Sequence, residues 1–262
     1  GMACFALTEP GAGSDAGAVS CRAEKVEGGY ILNGTKCFIT NAPIADKITL
    51  FANTREGGGI RGLTVFLVDA DTKGISIGKE EDKMGIRASA TAEIIFEDCF
   101  VPDSALVGKE GRGFMIAMQT LQMSRPVVAA ISVGIAQAAI EAAVAYSHHR
   151  KQFGVKIATF EMVQQMIADM VMKTEAARIL TYKACVAQMN KDKKAGLYSA
   201  MSKCFASDTA MEVTTTAVQV MGGNGYSREN PVEKYMRDAK IMQIYEGTNQ
   251  VQRLVIANEA TF

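Results

Sequence analysis

The stretch PVVAAISVGIAQAAIEAAVAY, residues 126–146, is rich in Ala, Ile and Val, and its polar Gln137 and Glu141 lie one helical turn apart. It predicts a helix that is buried over most of its circumference. Residues 160–189 and 194–220 are two more long helical patterns, and residues 249–257 are a short last one. Three long helices and a short one favour an antiparallel four-helix bundle.

Before this bundle the sequence changes character. Residues 3–105 contain apolar runs of strand length at 30–32, 36–40, 48–52, 63–69, 75–77 and 92–96. Gly28-Gly29 and Asn33-Gly34 predict tight turns, the second of them within a hairpin, and Gly57-Gly58-Gly59 predicts a loop. This pattern indicates a small β-barrel or sandwich. We therefore predict an α+β chain, with a β domain over residues 1–110 and a helical bundle over residues 111–262.

The composition is that of a globular protein and argues against several functional classes. Basic and acidic residues number 28 each, and this zero net charge argues against binding to nucleic acid. The six cysteines lack paired spacing and only two histidines are present. We therefore expect no metal site, and free thiols in a reducing compartment. The sequence shows neither an unbroken apolar run of membrane-spanning length nor a signal peptide.

Four segments are candidates for binding or catalysis. LTEPGAGSD (7–15) suits an anion through its glycines and hydroxyls, although the same composition is typical of a solvated loop. MGGNGY (221–226) is typical of a helix end, or of a backbone that passes close to a cofactor. HHRKQFG (148–154) places basic side chains where they stabilise a helix end or hold phosphates. In IYEGTNQ (244–250), Glu246 is either a surface carboxylate near a helix capped by Thr248 or Asn249, or a base in an apolar setting.

Together and in this order, these segments resemble the acyl-CoA dehydrogenase family from Cys4 to Ala257. The most specific matches are LTEPGAGSD (7–15), FITNA (38–42), RPVVAA (125–130), RKQFG (150–154), QVMGGNGY (219–226) and IYEGTNQ (244–250). The family has an N-terminal helical domain, a middle β domain and a C-terminal four-helix domain. Because the chain starts within a motif, we expect the first of these to be absent, and FAD binding and activity of the chain alone to be weak.

The resemblance implies flavin-dependent α,β-dehydrogenation of acyl-CoA thioesters to trans-2-enoyl-CoA, a step of fatty acid β-oxidation. Glu246 matches the base that abstracts the α proton. A second branch of the family places its base near Ser124, and a serine cannot do that work. The resemblance also implies an electron-transfer flavoprotein as acceptor and a homodimer or homotetramer formed through the helical domain. The location would be the bacterial cytoplasm or the mitochondrial matrix.

The resemblance assigns the remaining site residues. Those that hold FAD are Leu7, Thr8, Gly13, Ser14, Phe38, Ile39, Thr40, Arg150, Gln152, Phe153, Gln219, Gly222, Gly223, Thr248 and Gln250. Those that touch acyl-CoA are Ser14, Gln122, Ser124, Arg125 and Gly247. Glu161 departs from the usual Gln and would weaken a contact near the adenine. Residues 83–87 and 96–98 favour a short, straight acyl chain. The alternatives are a truncated fragment or paralogue without productive FAD or acyl-CoA binding, and an acyl-CoA oxidase-like flavoenzyme.

Overall fold

The computed structural model describes residues 1–261, and the chain folds as two compact units. The sheet unit comprises residues 1–83 and 87–120. The helical unit comprises residues 84–86 and the chain from residue 121 onward. The predicted α+β class, with a β domain followed by a helical domain, is confirmed.

The sheet unit is built on one eight-stranded sheet in the order β6-β7-β3-β2-β4-β5-β8, with β1 paired parallel to β4. The pairings of β3 with β2 and β7, and of β5 with β4 and β8, are antiparallel. The strands are β1 (Ala3–Ala6), β2 (Arg22–Val26), β3 (Gly29–Thr40), β4 (Lys47–Asn53), β5 (Leu63–Asp69), β6 (Ile75–Glu80), β7 (Thr91–Pro102) and β8 (Leu106–Val107).

The core of the sheet unit consists of apolar side chains from the central strands. Ile48, Leu50 and Val65 are fully buried, and each stabilises the fold by about 1.5–3 kcal/mol relative to an exposed side chain. The Tyr30 ring packs edge-on against Phe66 at a centroid distance of 4.9 Å. The β-branched and aromatic residues that predicted strands from the sequence therefore also form the core.

The hairpin predicted at Asn33-Gly34 is wrong. β3 runs unbroken through both residues, and its pairing with β7 shifts register between Leu32 and Gly34. Gly34 has a φ of 145°, and a Cβ there would lie 2.8 Å from the Cα of Cys21. The glycine thus permits a bulge where two backbones approach closely. The turn between β2 and β3 lies before Gly29, with Gly28 at a φ of 77°.

The helical unit contains more helix than the sequence predicts. Its elements are α1 (Gly113–His149, whose first residues belong to the sheet unit), the two-stranded hairpin β9 (Lys151–Gln152) and β10 (Val155–Lys156), α2 (Glu161–Met189), α3 (Ala195–Met221), α4 (Val232–Met242) and α5 (Asn249–Thr261). α1 starts well before Pro126, which lies inside it. α4 is not among the helices predicted from the sequence.

Small side chains form the centre of the helical unit. α3 packs against α2, α4 and α5. Ala139 and Ala143 of α1, and Ala210 and Ala217 of α3, are fully buried in one cluster with α2 and α4 residues. Alanine at these positions lets helix backbones approach closely while still excluding water. This close packing explains why the sequence of these helices is rich in alanine.

Among the helices of residues 1–261, α1 is long and apolar enough to cross a bilayer by length and composition alone. Its most apolar window has a mean hydropathy of 1.9, and 44% of that window is buried inside the protein. Core helices of globular proteins meet the same criteria, so the finding by itself is weak.

Candidate active site

Glu246 lies in the loop between α4 and α5, in a strained backbone conformation. Its φ is 57° and that of Gly247 is 86°, so two successive residues are left-handed. For a residue with a side chain this costs roughly 1–3 kcal/mol and persists only where the surroundings enforce it. Glycine at 247 avoids the same penalty. Strain of this kind directs attention to Glu246 as a functional residue.

The Glu246 carboxylate contacts α1 close to residue 121, where the helical unit begins. The Ser124 hydroxyl donates a hydrogen bond to Glu246 Oε2 at 2.6 Å, and both side chains are partly buried. Within residues 1–261, Glu246 Oε1 accepts no hydrogen bond. One oxygen is thus held in place, while the other is free to take a proton. The sequence pointed to both residues but not to this bond between them.

Arg125 brings a buried positive charge close to Glu246. Its side chain is buried, and its Nε has no hydrogen-bond partner among the described residues. Burial lowers the pKa of Arg125, while the carboxylates of Glu246 and Glu259 oppose the shift. A buried, unpaired N–H donor is costly unless a ligand atom satisfies it. Arg125 therefore fits the substrate-binding assignment.

Two residues that the sequence analysis missed hold the backbone of the Glu246 loop. Lys203 Nζ donates to the Gly247 carbonyl oxygen at 2.8 Å and to Asn249 Oδ1 at 3.0 Å. Gln252 Nε2 donates to the carbonyl oxygens of Glu246 and Gly247 at 3.2 and 3.0 Å. A lysine within the apolar pattern of α3 was the available signal.

The start of α5 fixes the other end of this loop. Thr248 Oγ1 accepts from the Val251 amide at 3.2 Å and so caps the helix. The Asn249 side chain is buried and donates to Asp208 Oδ1 at 2.7 Å. Gln250, which the resemblance assigns to FAD, is exposed. Of the two residues proposed as caps, Thr248 is the one that performs this role.

A separate cavity of about 400 Å³ lies where α1 and α3 end. Four residues assigned to FAD line it: Arg150, Gln152, Gly222 and Gly223. A Cβ at either glycine would meet no atom within 4 Å, so the open space reaches the backbone. A cationic side chain beside exposed backbone suits a phosphorylated ligand such as the ADP part of FAD. The residues present therefore fit the group.

Not every residue assigned to that end of FAD lines the cavity. Gln219 is exposed on the last turn of α3 and lies outside the lining. Phe153 is 95% exposed at the tip of the β9–β10 hairpin, with a φ of 51°. Glu161, the departure from the family pattern, is exposed at the first position of α2.

In the sheet unit, the structure brings two of the predicted FAD segments together. The Cys37 amide donates to the Thr8 carbonyl oxygen at 2.9 Å, which places the end of β3 beside residues 7–8. The Phe38 ring is 65% exposed and its φ is 56°, while Ile39 is buried and Thr40 exposed. Gly13 and Ser14 lie in an exposed loop. An exposed aromatic ring on a strained strand end is suited to a flat ligand.

A buried ion pair supports this arrangement. Lys36 Nζ lies 2.7 Å from Glu9 Oε1 and donates to the Leu7 carbonyl oxygen at 3.0 Å. Glu9 also accepts from the amides of Ser20 and Cys21 at 2.7 and 2.9 Å. Burial opposes ionisation of Glu9, but the Lys36 ammonium and these donors hold its pKa below the usual value. Neither Lys36 nor Glu9 is among the site residues predicted from the sequence.

In residues 122–125, the main chain is also tied to α2. The Gln122 carbonyl oxygen accepts from Gln188 Nε2 at 2.5 Å, and the Gln122 side chain is partly exposed. Gln122, Ser124 and Arg125 therefore lie on one segment of α1, and two of them face the Glu246 loop.

Comparison with known proteins finds acyl-CoA dehydrogenases over nearly the whole chain. The chain matches two protein-family models, the acyl-CoA dehydrogenase middle domain at residues 4–99 and the acyl-CoA dehydrogenase C-terminal domain at residues 111–261. It is 50% identical over 256 residues to the probable acyl-CoA dehydrogenase FadE25 of Mycobacterium tuberculosis, covering 98% of this chain and 66% of that protein. It is 47% identical over 256 residues to the mitochondrial short-chain specific acyl-CoA dehydrogenase of Mus musculus, covering 98% and 62%.

A solved structure shows the same fold. Butyryl-CoA dehydrogenase from Megasphaera elsdenii superposes with a TM-score of 0.97 at 48% identity, covering 99% of this chain and 68% of that one. The chain thus spans about two thirds of the length of the relatives that it matches.

Proposed function

This chain belongs to the acyl-CoA dehydrogenase family, and we propose that it catalyses α,β-dehydrogenation of acyl-CoA thioesters with Glu246 as the base. The observation that carries the proposal is the Glu246 loop. A carboxylate on a strained backbone is held by Ser124 at one oxygen. Its second oxygen accepts no hydrogen bond from residues 1–261. That oxygen takes the α proton of the thioester.

The protein supplies more than the base. The Glu246 amide donates to no acceptor within the described chain, so it can donate to the thioester oxygen and stabilise the developing enolate. Arg125 contributes a buried positive charge and an unpaired Nε donor close to the same carboxylate. In a site that excludes water, such fixed dipoles and charges act more strongly than in solution.

FAD is the cofactor that we propose, and when bound it accepts the hydride from the β carbon. The cavity with Arg150, Gln152, Gly222 and Gly223 would hold the ADP part of an FAD that is bound mainly by a neighbouring subunit. The segments at Leu7-Thr8 and Phe38-Thr40 would hold its flavin part, supported by the bond from Cys37 to Thr8. Thr248 and Gln250 complete the assigned set.

We further propose a short, straight acyl group as substrate and trans-2-enoyl-CoA as product. Relatives in this family include butyryl-CoA and short-chain specific dehydrogenases, which supports that choice. An electron-transfer flavoprotein would receive the electrons. Relatives occur in bacteria and mitochondria, so the bacterial cytoplasm or the mitochondrial matrix is the proposed location. All six cysteines are free in the structure, as a reducing compartment favours.

The test is the variant Glu246→Gln in the full-length, FAD-loaded protein, with butyryl-CoA as the reductant. Bleaching of the flavin absorbance should slow by about 10²–10⁴-fold, because an essential base is lost, while folding and FAD content stay normal. Glu141→Gln, on the exposed face of α1, is the matched control and should bleach at the wild-type rate. Near-normal bleaching by Glu246→Gln would refute the assignment. Bleaching coupled to peroxide formation in air would instead support an oxidase.

A further inference from the structure

Lys203 is a charged residue fully buried in the middle of α3. Taking an ammonium out of water costs several kcal/mol unless partners compensate. Lys203 forms no ion pair with a carboxylate of residues 1–261, and its two hydrogen bonds go to Gly247 and Asn249. Gly247 belongs to the loop that carries Glu246, and Asn249 is the first residue of α5. The hydrogen bonds that compensate for burying this charge therefore all go to the Glu246 loop and the start of α5.

The bond to Gly247 acts on the part of the loop where the backbone is left-handed and therefore strained. Residues 246 and 247 are both left-handed, and Glu246 has no glycine-like freedom there. The carbonyl oxygens of these two residues receive three hydrogen bonds, one from Lys203 and two from Gln252. These bonds fix the peptide planes that follow Glu246. The direction of the Glu246 side chain, and hence its reach to Ser124, depends on them.

The charge makes the Lys203 bond the strongest of the three. Hydrogen bonds from an ionised donor are roughly twice as strong as those between neutral groups. Burial lowers the pKa of Lys203 to about 8, with Arg125 adding to the shift and Cys204, Asp208 and Glu246 opposing it. The side chain is therefore still an ammonium at pH 7.

We propose that Lys203 is a positioning residue for Glu246, holding the left-handed turn at residues 246–247 through the Gly247 carbonyl oxygen. Lys203 donates no hydrogen bond to the Glu246 carboxylate, and it acts on that residue through the Gly247 carbonyl oxygen. The proposal rests on the proposed function for its effect on turnover. Its effect on the loop itself does not depend on that function.

The test uses two variants and a control. Lys203→Met keeps an unbranched side chain, one atom shorter, and removes every donor, whereas Lys203→Gln keeps a neutral donor. Thr214→Val is the matched control, because Thr214 is buried on the same helix and bonds only to its own helix. Amide hydrogen exchange of residues 243–254 is measured by mass spectrometry without substrate. The values of kcat and KM for butyryl-CoA are measured in the FAD-loaded protein.

We expect Lys203→Met to speed exchange in residues 243–254 by roughly tenfold, as for loss of one charge-assisted bond. Amide exchange in α3 should be unchanged. The kcat should fall by about 100-fold, the effect of a misplaced catalytic group, with little change in KM. Lys203→Gln should lie between this variant and wild type in both measurements. Thr214→Val should change neither.

Several results would overturn the proposal. One is unchanged exchange in residues 243–254 for Lys203→Met. Another is faster exchange along the whole of α3, since that indicates loss of general stability. If Lys203→Met does not fold, Lys203→Gln decides: wild-type exchange and kcat in that variant contradict the proposal. A full-length, FAD-loaded wild-type protein that never bleaches with butyryl-CoA refutes the proposed function, and the exchange measurement then still tests Lys203.

Discussion

Replacing Lys36 with methionine removes one partner of the buried ion pair in the sheet unit. The side chains of Lys36 and Glu9 are 0% and 2% exposed, so water cannot replace the lost ammonium. Loss of one partner of a buried pair costs about 3–5 kcal/mol. The lost donor to the Leu7 carbonyl oxygen adds about 1 kcal/mol. Lys36→Met should therefore lower the free energy of unfolding by about 4–6 kcal/mol at pH 8.

The loss should also depend on pH, with a definite sign. In the wild type the pKa of Glu9 is held below its usual value, so its contribution is present above the unfolded pKa and is lost only as pH falls through the folded pKa. In Lys36→Met, burial remains without the ammonium, and the folded state takes up a proton at Glu9 more readily than the unfolded state. Stability of the variant then falls as pH rises. The difference between the two proteins should be smaller at pH 5 than at pH 8.

Urea titrations followed by circular dichroism at both pH values measure these effects. The control Lys47→Met breaks an exposed pair with Asp69 and should leave the unfolding midpoint unchanged, as most surface pairs contribute little. Adding Glu9→Gln to Lys36→Met should recover most of the loss, because no carboxylate is then buried. A loss below about 1 kcal/mol at pH 8, within the range of an exposed pair, would refute the reasoning. So would a loss that is equal at pH 5 and pH 8.

Three further predictions concern the active site and assembly. Ser124→Ala frees Glu246 Oε2 and should reduce the rate of flavin bleaching by butyryl-CoA by about tenfold, the worth of one hydrogen bond to a charged group; an unchanged rate in stopped-flow measurements would show that this bond is dispensable. Arg150→Ala should weaken FAD binding, measured by flavin fluorescence, without changing the unfolding midpoint of the apoprotein; unaltered FAD affinity would remove Arg150 from the site. Light scattering at micromolar concentration should give a dimer or tetramer, and a mass of 28.0 kDa would contradict it.

Local patterns in the sequence were sufficient for most of the secondary structure. The apolar runs at 48–52 and 63–69 lie within β4 and β5, because β-branched residues both favour strands and fill the core. The Asn33-Gly34 pair failed as a hairpin signal. Its glycine serves a close approach to Cys21, a residue distant in sequence, and no local rule reports such a contact.

α4 was missed for a different reason. Its sequence VEKYMRDAKIM is mostly polar, and its buried side chains are few: Val232, Asp238, Ala239 and Met242. Asp238 is buried because its Oδ1 accepts the Ile86 amide at 2.6 Å. Val232, Ala239 and Met242 are nevertheless buried at helical spacing, so α4 carries a local apolar stripe that the sequence-based prediction did not use.

The candidate site divides in the same way. The segment around Glu246 was found through its resemblance to a family motif, since its spacing alone is also typical of a capped surface helix. The bond from Ser124, the unpaired Nε of Arg125 and the clamp by Lys203 all join residues of different elements. Such contacts depend on three-dimensional packing, which periodicity along one chain does not encode.

The left-handed backbone at Glu246 lowers the stability of the fold at the residue that the proposed catalysis requires. A glycine or asparagine tolerates this φ far better than glutamate does, so Glu246→Gly would relieve about 1 kcal/mol of strain while removing the base. Laboratory evolution of this protein under heat alone would therefore favour dead variants at position 246. Selection for a more thermostable enzyme therefore has to measure turnover in every round.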